Sequence, residues 1–383
     1  MIDRMQLGAV PGKPHTAFRS ASGALRHEEC LTRRGFDGEF SILYHEGPPM
    51  TDLRIGPATP GPFDRQVGTP APPQPLQRRL VLGEKAPEGF TPILMNDDVV
   101  VSLFRLPREA ESPDAFSNGD GDELFFFFEG EGTLETPFGD LPFRGNDYLL
   151  VPRGVVSRFR ISSRFEGILF ELRGGLHLPR EFRNPVGQLR MDAPYTHRDF
   201  ARPVFMGPRP GPKRILVKKD DRFVERFPAG SPFDVVGWDG TVWPFAFDIL
   251  KYQPKTGLVH LPPTVHSTFA GRNALVCSFV PRVTDTHPDA IPCPYPHASV
   301  DCDEVIYYVR GNFTSRKGVG AKAVSLHPAG VPHGPHPGAY EGSIGTRSTS
   351  ELAVMMDTFA PLNLTQEALA LESPGYHESW IPA

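Results

Sequence analysis

Short apolar runs separated by turn residues fill most of the chain. Glu39-Phe40-Ser41-Ile42-Leu43-Tyr44-His45 reads as one strand, and Ile93-Leu94-Met95, Val99 to Phe104, Leu124 to Phe128, Tyr148 to Val151 and Gly167 to Leu172 follow as others. Turn signals at Asn118-Gly119, Asp120-Gly121, Gly130 to Gly132 and Phe138-Gly139-Asp140 divide them, which is the pattern of a small antiparallel barrel or sandwich. A second strand-rich block opens at Phe233 to Gly240 and runs to about Leu364, with Val305 to Val309 and Val324 to Leu326 inside it. Two similar blocks in series suggest an internal duplication, although no strict sequence repeat is visible. Thr365 to Leu371 is the best helix candidate, and the Pro-rich stretch 57–77 reads as an extended surface loop. The expected organisation is an N-terminal β domain at 1–172, a connecting region at 173–232 and a C-terminal β domain at 233–383.

Composition agrees. The 383 residues exceed one barrel and suit two. The 43 Pro and 38 Gly disfavour helix interiors, and the 28 Phe suit pleated, half-buried surfaces. The net charge of −5 and the absence of a basic stripe argue against nucleic acid as a partner. No apolar run approaches the ~18–20 residues needed to span a bilayer, and the first residues lack the apolar core of a secretory signal. Cys30, Cys277, Cys293 and Cys302 form no CxxC pair, and Cys277 reads as a buried free thiol. A reducing, cytoplasmic setting is expected.

Histidine changes the picture. Of 13 in the chain, seven lie between 260 and 336, and none lies between 93 and 172. His297 is followed by Asp303-Glu304, which begin an apolar strand ending in Gly311. Val324-Ser325-Leu326-His327 leads into Pro328-Ala329-Gly330-Val331-Pro332-His333-Gly334-Pro335-His336, a Pro/Gly-clamped turn bearing histidine. Two imidazoles and a carboxylate on one face of a barrel form the open triad that suits ferrous iron in non-haem oxygenases. Rigid strands are good carriers for such ligands. Taken singly, each of these residues is more often a plain polar surface group; their concentration in one block is what points to a metal.

Several ordered segments then resemble the homogentisate 1,2-dioxygenase family: Phe233 to Gly240, Cys277-Ser278-Phe279-Val280-Pro281-Arg282, Asp303-Glu304 with Arg310-Gly311, and Ser325-Leu326-His327 through Pro332-His333-Gly334-Pro335. Phe36 to Ser41 with Leu43-Tyr44-His45, and Asn118 to Asp122, agree. The resemblance covers roughly 35–360. It implies a mainly β chain of two tandem double-stranded β-helix (cupin, jelly-roll) barrels with few short helices, the first barrel degenerate and metal-free. It implies Fe(II) held by His297, Glu304 and His333, and a cytoplasmic homo-oligomer. It also implies cleavage of a small aromatic acid of the hydroquinone type by O2, giving maleylacetoacetate from homogentisate. His327 is then a residue that orients a metal ligand by hydrogen bonding or lines the substrate pocket, and Arg310, Phe313 and His336 are further substrate-contact candidates.

The chain departs from the family in places. His297 and Glu304 stand seven apart, one more than usual, so Asp303 is a rival ligand. Phe313 replaces a tyrosine, and an arginine expected before the ligand histidine is missing from 290–296. His260 and His266 both qualify as the base, with His266 preferred for its nearness to Phe269. Of Tyr307 and Tyr308, at most one can face a site. Trp238, Trp243, Phe245 and Phe247 read as core, Lys213-Arg214 and Lys218-Lys219 as solvated surface, and Gly318-Val319-Gly320 as a hairpin turn. A non-catalytic two-barrel binding protein and a cupin enzyme using manganese or nickel remain the competing readings.

Overall fold

The computed structural model describes residues 2–59, 65–72, 80–82, 86–106, 114–311, 313, 319–376, 378 and 381. Parts of the Pro-rich stretch, and Gly318 of the expected hairpin turn, lie outside them. The chain is mainly β. Among the described residues the α-helices are two single turns, Ala339–Gly342 and Gln366–Leu369, the second inside the predicted helix. Among the described residues no helix is long and apolar enough to cross a membrane.

Two large sheets carry the architecture. The first has the order Phe200–Ala201, Phe245–Asp248, Asp147–Val151, Asp122–Glu129, Phe165–Leu172, Val99–Leu106, Gly89–Met95, Asn363–Leu364. The second has the order Leu176–His177, Ser267–Gly271, Ala274–Phe279, Leu352–Thr358, Asp303–Arg310, Val324–His327, Leu80–Leu82. Every expected strand falls within one of these or within the neighbouring sheet of Met5–Gly8, Val235–Gly240, Phe40–His45 and His27–Thr32.

The two large sheets share a pattern of neighbours. Asp122–Glu129 lies between Asp147–Val151 and Phe165–Leu172, just as Asp303–Arg310 lies between Val324–His327 and Leu352–Thr358. Glu123 pairs with Glu171, and Glu304 pairs with Asp357. Both strands run into a glycine in the left-handed region, Gly130 (φ +110°) and Gly311 (φ +99°). A Cβ at Gly130 would stand 2.4 Å from Phe165 Cβ, and one at Gly311 would stand 2.2 Å from Ser350 O, so only glycine lets the chain turn there.

The sheets cross the expected limits of 172 and 233. Phe245–Asp248 and Asn363–Leu364 complete the first sheet, while Leu80–Leu82 and Leu176–His177 complete the second. Each half thus lends strands to the other, which shields sheet edges. The region 173–232 is likewise more than a connector: Ile215–Lys219 and Arg222–Pro228 form a hairpin within the sheet that contains Asp52–Pro57 and Ala115–Asn118. Lys218, expected in solvent, is 3% exposed, with Nζ 2.8 and 2.7 Å from the two Glu171 oxygens. A buried ammonium needs such a partner.

Phenylalanine fills the first half. Phe104 lies 5.3–5.8 Å, centroid to centroid, from Phe90, Phe125, Phe127 and Phe165. Trp238, Trp243, Phe245 and Phe247 join the same core. Val305, Tyr307 and Val309 also face it, whereas Ile306 and Tyr308 face a smaller cluster with Cys277, Ala353 and Met355. With both faces buried, the strand reads as a continuous apolar run rather than an alternation. That smaller cluster walls the site.

Candidate metal centre

Glu304 is the second residue of its strand, and the period of two aims it with Ile306 and Tyr308 at one cavity. His297 and His333 reach the same point from two loops joined by an isolated bridge. His297 N donates to His333 O and His333 N to His297 O, each at 2.8 Å. One ligand atom from each of His297, Glu304 and His333 lies within 4.8 Å of the other two.

Each imidazole is oriented from behind. His297 Nδ1 is 3.1 Å from Tyr295 O, and His333 Nδ1 is 3.0 Å from Val331 O. A carbonyl can only accept, so these contacts place the proton on Nδ1 and leave the Nε2 lone pair directed at the site. His333 Nε2 is buried with no hydrogen-bond partner among the described residues, and Glu304 Oε1 stands 3.7 Å from it. An orphaned buried acceptor beside a carboxylate fits a divalent cation between them.

His327, fully buried on the neighbouring strand opposite Glu304, places Nδ1 2.5 Å from Glu304 Oε1. Its ring stacks on that of His333 at 4.7 Å. Burial alone would raise the Glu304 carboxyl, but the bond from His327 and the charges of His327 and His333 outweigh it and hold the group well below the usual range. At 3.7 Å the His333 contact is electrostatic, so His327 supplies the bond.

Asp303 points elsewhere. Its Oδ1 accepts from Ala329 N and its Oδ2 from Leu362 N, both at 2.7 Å. Asp122 does the same in the first half, accepting from Arg153 N and Leu176 N at 2.7 Å each. The shared aspartate clamps loops, and in the second half the glutamate after it, Glu304, lines the cavity instead.

The cavity, about 90 Å³, is lined by His260, His266, Arg282, His297, Glu304 and an apolar wall of Phe279, Ile306, Tyr308, Ala353 and Met355, with Pro263, Pro292, Pro294 and Glu351. Both base candidates are therefore present. His266 ends a short turn, Pro263–His266, with Nδ1 3.1 Å from Ser278 O. Burial first, then the charge of Arg282, pushes its pKa down to about 3. His260 is less enclosed, and its Nδ1 lies 3.8 Å from Asp285 Oδ2. Burial lowers its pKa, Asp285 acts against burial, and the charge of Arg282 lowers it further.

Three expected substrate contacts lie off this cavity. Arg310 is at the opposite end of its strand from Glu304, about 20 Å away at strand rise, and its Nη1 donates to Asn146 Oδ1 at 2.5 Å. Phe313 packs behind Tyr308, ring to ring at 4.8 Å. His336 is buried 6.2 Å from the Tyr376 ring. Arg282, Asp285 and Asp357 were given no role from sequence. Asp357 faces Glu304 across the strands, and burial followed by the Glu304 charge pushes its carboxyl up to about 7. A lone carboxylate after Met355-Met356 in an apolar run was the available signal.

The first half carries other groups at the corresponding position. Phe116 and Ser157 form the bridge that His297 and His333 form in the second. Glu123 remains, but Arg65 Nε sits 3.1 Å from its Oε1. The guanidinium is 8% exposed and lies 3.8, 4.8 and 5.0 Å from the centroids of Phe90, Phe116 and Phe125. A resident cation, held by a carboxylate and aromatic faces, occupies this position.

Fold and donor set together define a mainly β chain of cupin type in which two histidines and one glutamate could hold a metal. A family model for the homogentisate 1,2-dioxygenase N-terminal region matches residues 89–249. A Saccharolobus solfataricus protein, provisionally named a dioxygenase, is 32% identical across 99% of this chain and 99% of its own. The chain belongs to the homogentisate 1,2-dioxygenase family. Homogentisate 1,2-dioxygenase of Bradyrhizobium diazoefficiens is 26% identical over 66% of this chain, which spans 59% of that enzyme's length. A cupin barrel protein of Leptotrichia buccalis superposes on 73% of this chain and 92% of its own, at 11% identity and a TM-score of 0.34. That likeness is too slight to carry chemistry from one to the other.

Proposed function

We propose that the protein is an Fe(II)-dependent dioxygenase that opens the ring of homogentisate, or of a closely related hydroquinone-type acid, with both atoms of O2 entering the product. The observation that carries this reading is the convergence of His297, Glu304 and His333 on one point at the end of a half-enclosed cavity. Family membership supports the reaction class.

Iron bound by the three ligands would supply a Lewis-acidic, redox-active template joining phenol and O2. The remaining work falls to the protein. Carbonyls of Tyr295 and Val331 fix the two imidazole tautomers, and His327 fixes the carboxylate. The apolar wall excludes water and offers flat surface to an aromatic ring. A base must then accept the phenolic proton. His260 suits this better than His266, because Asp285 can stabilise the imidazolium that forms, whereas burial and Arg282 both oppose charge on His266. His266 would stay neutral and orient the substrate through Nε2.

The test is O2 uptake by the Fe(II)-reconstituted protein with homogentisate, gentisate and other substituted hydroquinones. Uptake with a ring-opened product bears the proposal out. Bound iron with no uptake on any hydroquinone acid overturns it in favour of a binding protein.

A further inference from the structure

The cavity beside the metal ligands carries one full cation. Arg282 is the sole guanidinium or ammonium group among its described lining residues. Among the described residues it enters no ion pair there, and its one side-chain hydrogen bond runs from Nη1 to the carbonyl of its neighbour Val283, at 3.4 Å. Other half-buried arginines of this chain are matched, Arg158 to Glu135, Arg173 to Asp221, and Arg214 to Asp114 and Glu225. Five donors with one weak acceptor leave a fork open to the cavity.

Its position is fixed by main chain. Thr349 N donates to Arg282 O at 2.8 Å, Arg282 N donates to Thr349 Oγ1 at 3.4 Å, and Val283 pairs with Ser348. The charge reaches both pocket histidines, adding to burial in disfavouring their protonated forms.

The geometry points to Arg282 as the anchor for a carboxylate on the substrate, and so as the residue that selects anionic over neutral phenols. The identity of the reacting acid rests on the ring-cleaving reading above. With the carboxylate in the guanidinium fork, the ring lies on the Phe279, Ile306 and Met355 wall and its hydroxyl is delivered toward Glu304 and the two ligand histidines. A neutral phenol would leave the fork desolvated and unmatched, which a polar site rejects strongly.

The experiment is anaerobic calorimetry of the Fe(II)-loaded protein with homogentisate and with its methyl ester, on wild type, Arg282→Met and Arg282→Lys. Wild type binds the acid more tightly than the ester, by about 10–100-fold for a charge-assisted pair. Arg282→Met erases that preference by weakening the acid alone, and Arg282→Lys restores part of it. Equal wild-type affinity for acid and ester overturns the anchor, as does an Arg282→Met variant that weakens both alike. Ring cleavage is scored separately by O2 uptake. Preference without uptake sinks the reaction and leaves the anchor; uptake without preference does the reverse.

Discussion

Phe116 and Ser157 exchange backbone hydrogen bonds in the first half as His297 and His333 do in the second, at 2.8 and 2.9 Å against 2.8 Å both ways. The main chain that presents His297 and His333 is thus shared between the halves, while the side chains on it are not. The first half keeps the carboxylate, Glu123, and satisfies it with Arg65.

That substitution sets the cost of removing Arg65. Arg65→Ala leaves Glu123 buried and short of a counter-charge, which costs about 3–5 kcal/mol. The loss is read as a lowered midpoint in chemical unfolding. Arg65→Met combined with Glu123→Met should recover much of it, because apolar groups of similar volume replace the pair. Iron content should stay unchanged in both.

Asp303 and Glu304 are adjacent carboxylates with opposite roles. Asp303→Ala removes two bonds from backbone N–H to a charged acceptor, at about 1.5–3 kcal/mol each, and should lower thermal stability while iron still binds. Asp122→Ala should behave alike, since Asp122 clamps the corresponding loops. An Asp303 variant of normal stability that fails to hold iron would reassign the ligand.

His327 acts on the metal through Glu304. His327→Ala should weaken Fe(II) affinity about 10–100-fold, the usual effect of removing a group that orients a ligand. Metal titration against a competing chelator measures it.

The base assignment separates two histidines in one cavity. His260→Gln should lower kcat by about 10²–10⁴ and remove an ionisation from the pH–rate profile. His266→Gln should raise KM more than it lowers kcat. The reverse pattern would make His266 the proton acceptor.

Away from the site, His45 couples folding to pH. It is 1% exposed, with Nδ1 2.5 Å from Asp234 and Nε2 3.0 Å from Glu29. Burial opposes its charge, but the bonds to both carboxylates prevail and raise its pKa to about 9. A pKa raised in the folded state gives stability that is complete below about 6.5 and lost as pH climbs through 9. The change is about 3 kcal/mol. Unfolding midpoints from pH 6 to 10 should fall for wild type and stay flatter for His45→Gln.

Much of this was legible in the sequence, and the omissions share a cause. Strands and turns follow from local pattern, and His297, Glu304 and His333 were singled out by resemblance to the family, whereas the match of Asp122-Glu123 to Asp303-Glu304 emerged only from the sheet register. The Phe116–Ser157 bridge was hidden because a pair of backbone hydrogen bonds leaves no mark on the residue types that make it. The exchange of Leu80–Leu82 and Asn363–Leu364 was hidden because pattern finds strands and not their partners. Arg65 and Lys218 read as surface because hydropathy cannot see a buried counter-charge. Arg282, Asp285 and Asp357 gain meaning only once topology brings them to His260 and Glu304.

Iron stoichiometry decides most directly whether this site exists. Wild type, His333→Ala, Glu304→Gln and Asp303→Asn would be purified without oxygen, loaded with Fe(II) and assayed for bound metal. One iron per chain in wild type and Asp303→Asn, and none in His333→Ala or Glu304→Gln, is the expected result. Iron retained by the His333 and Glu304 variants, or absent from wild type, would contradict it.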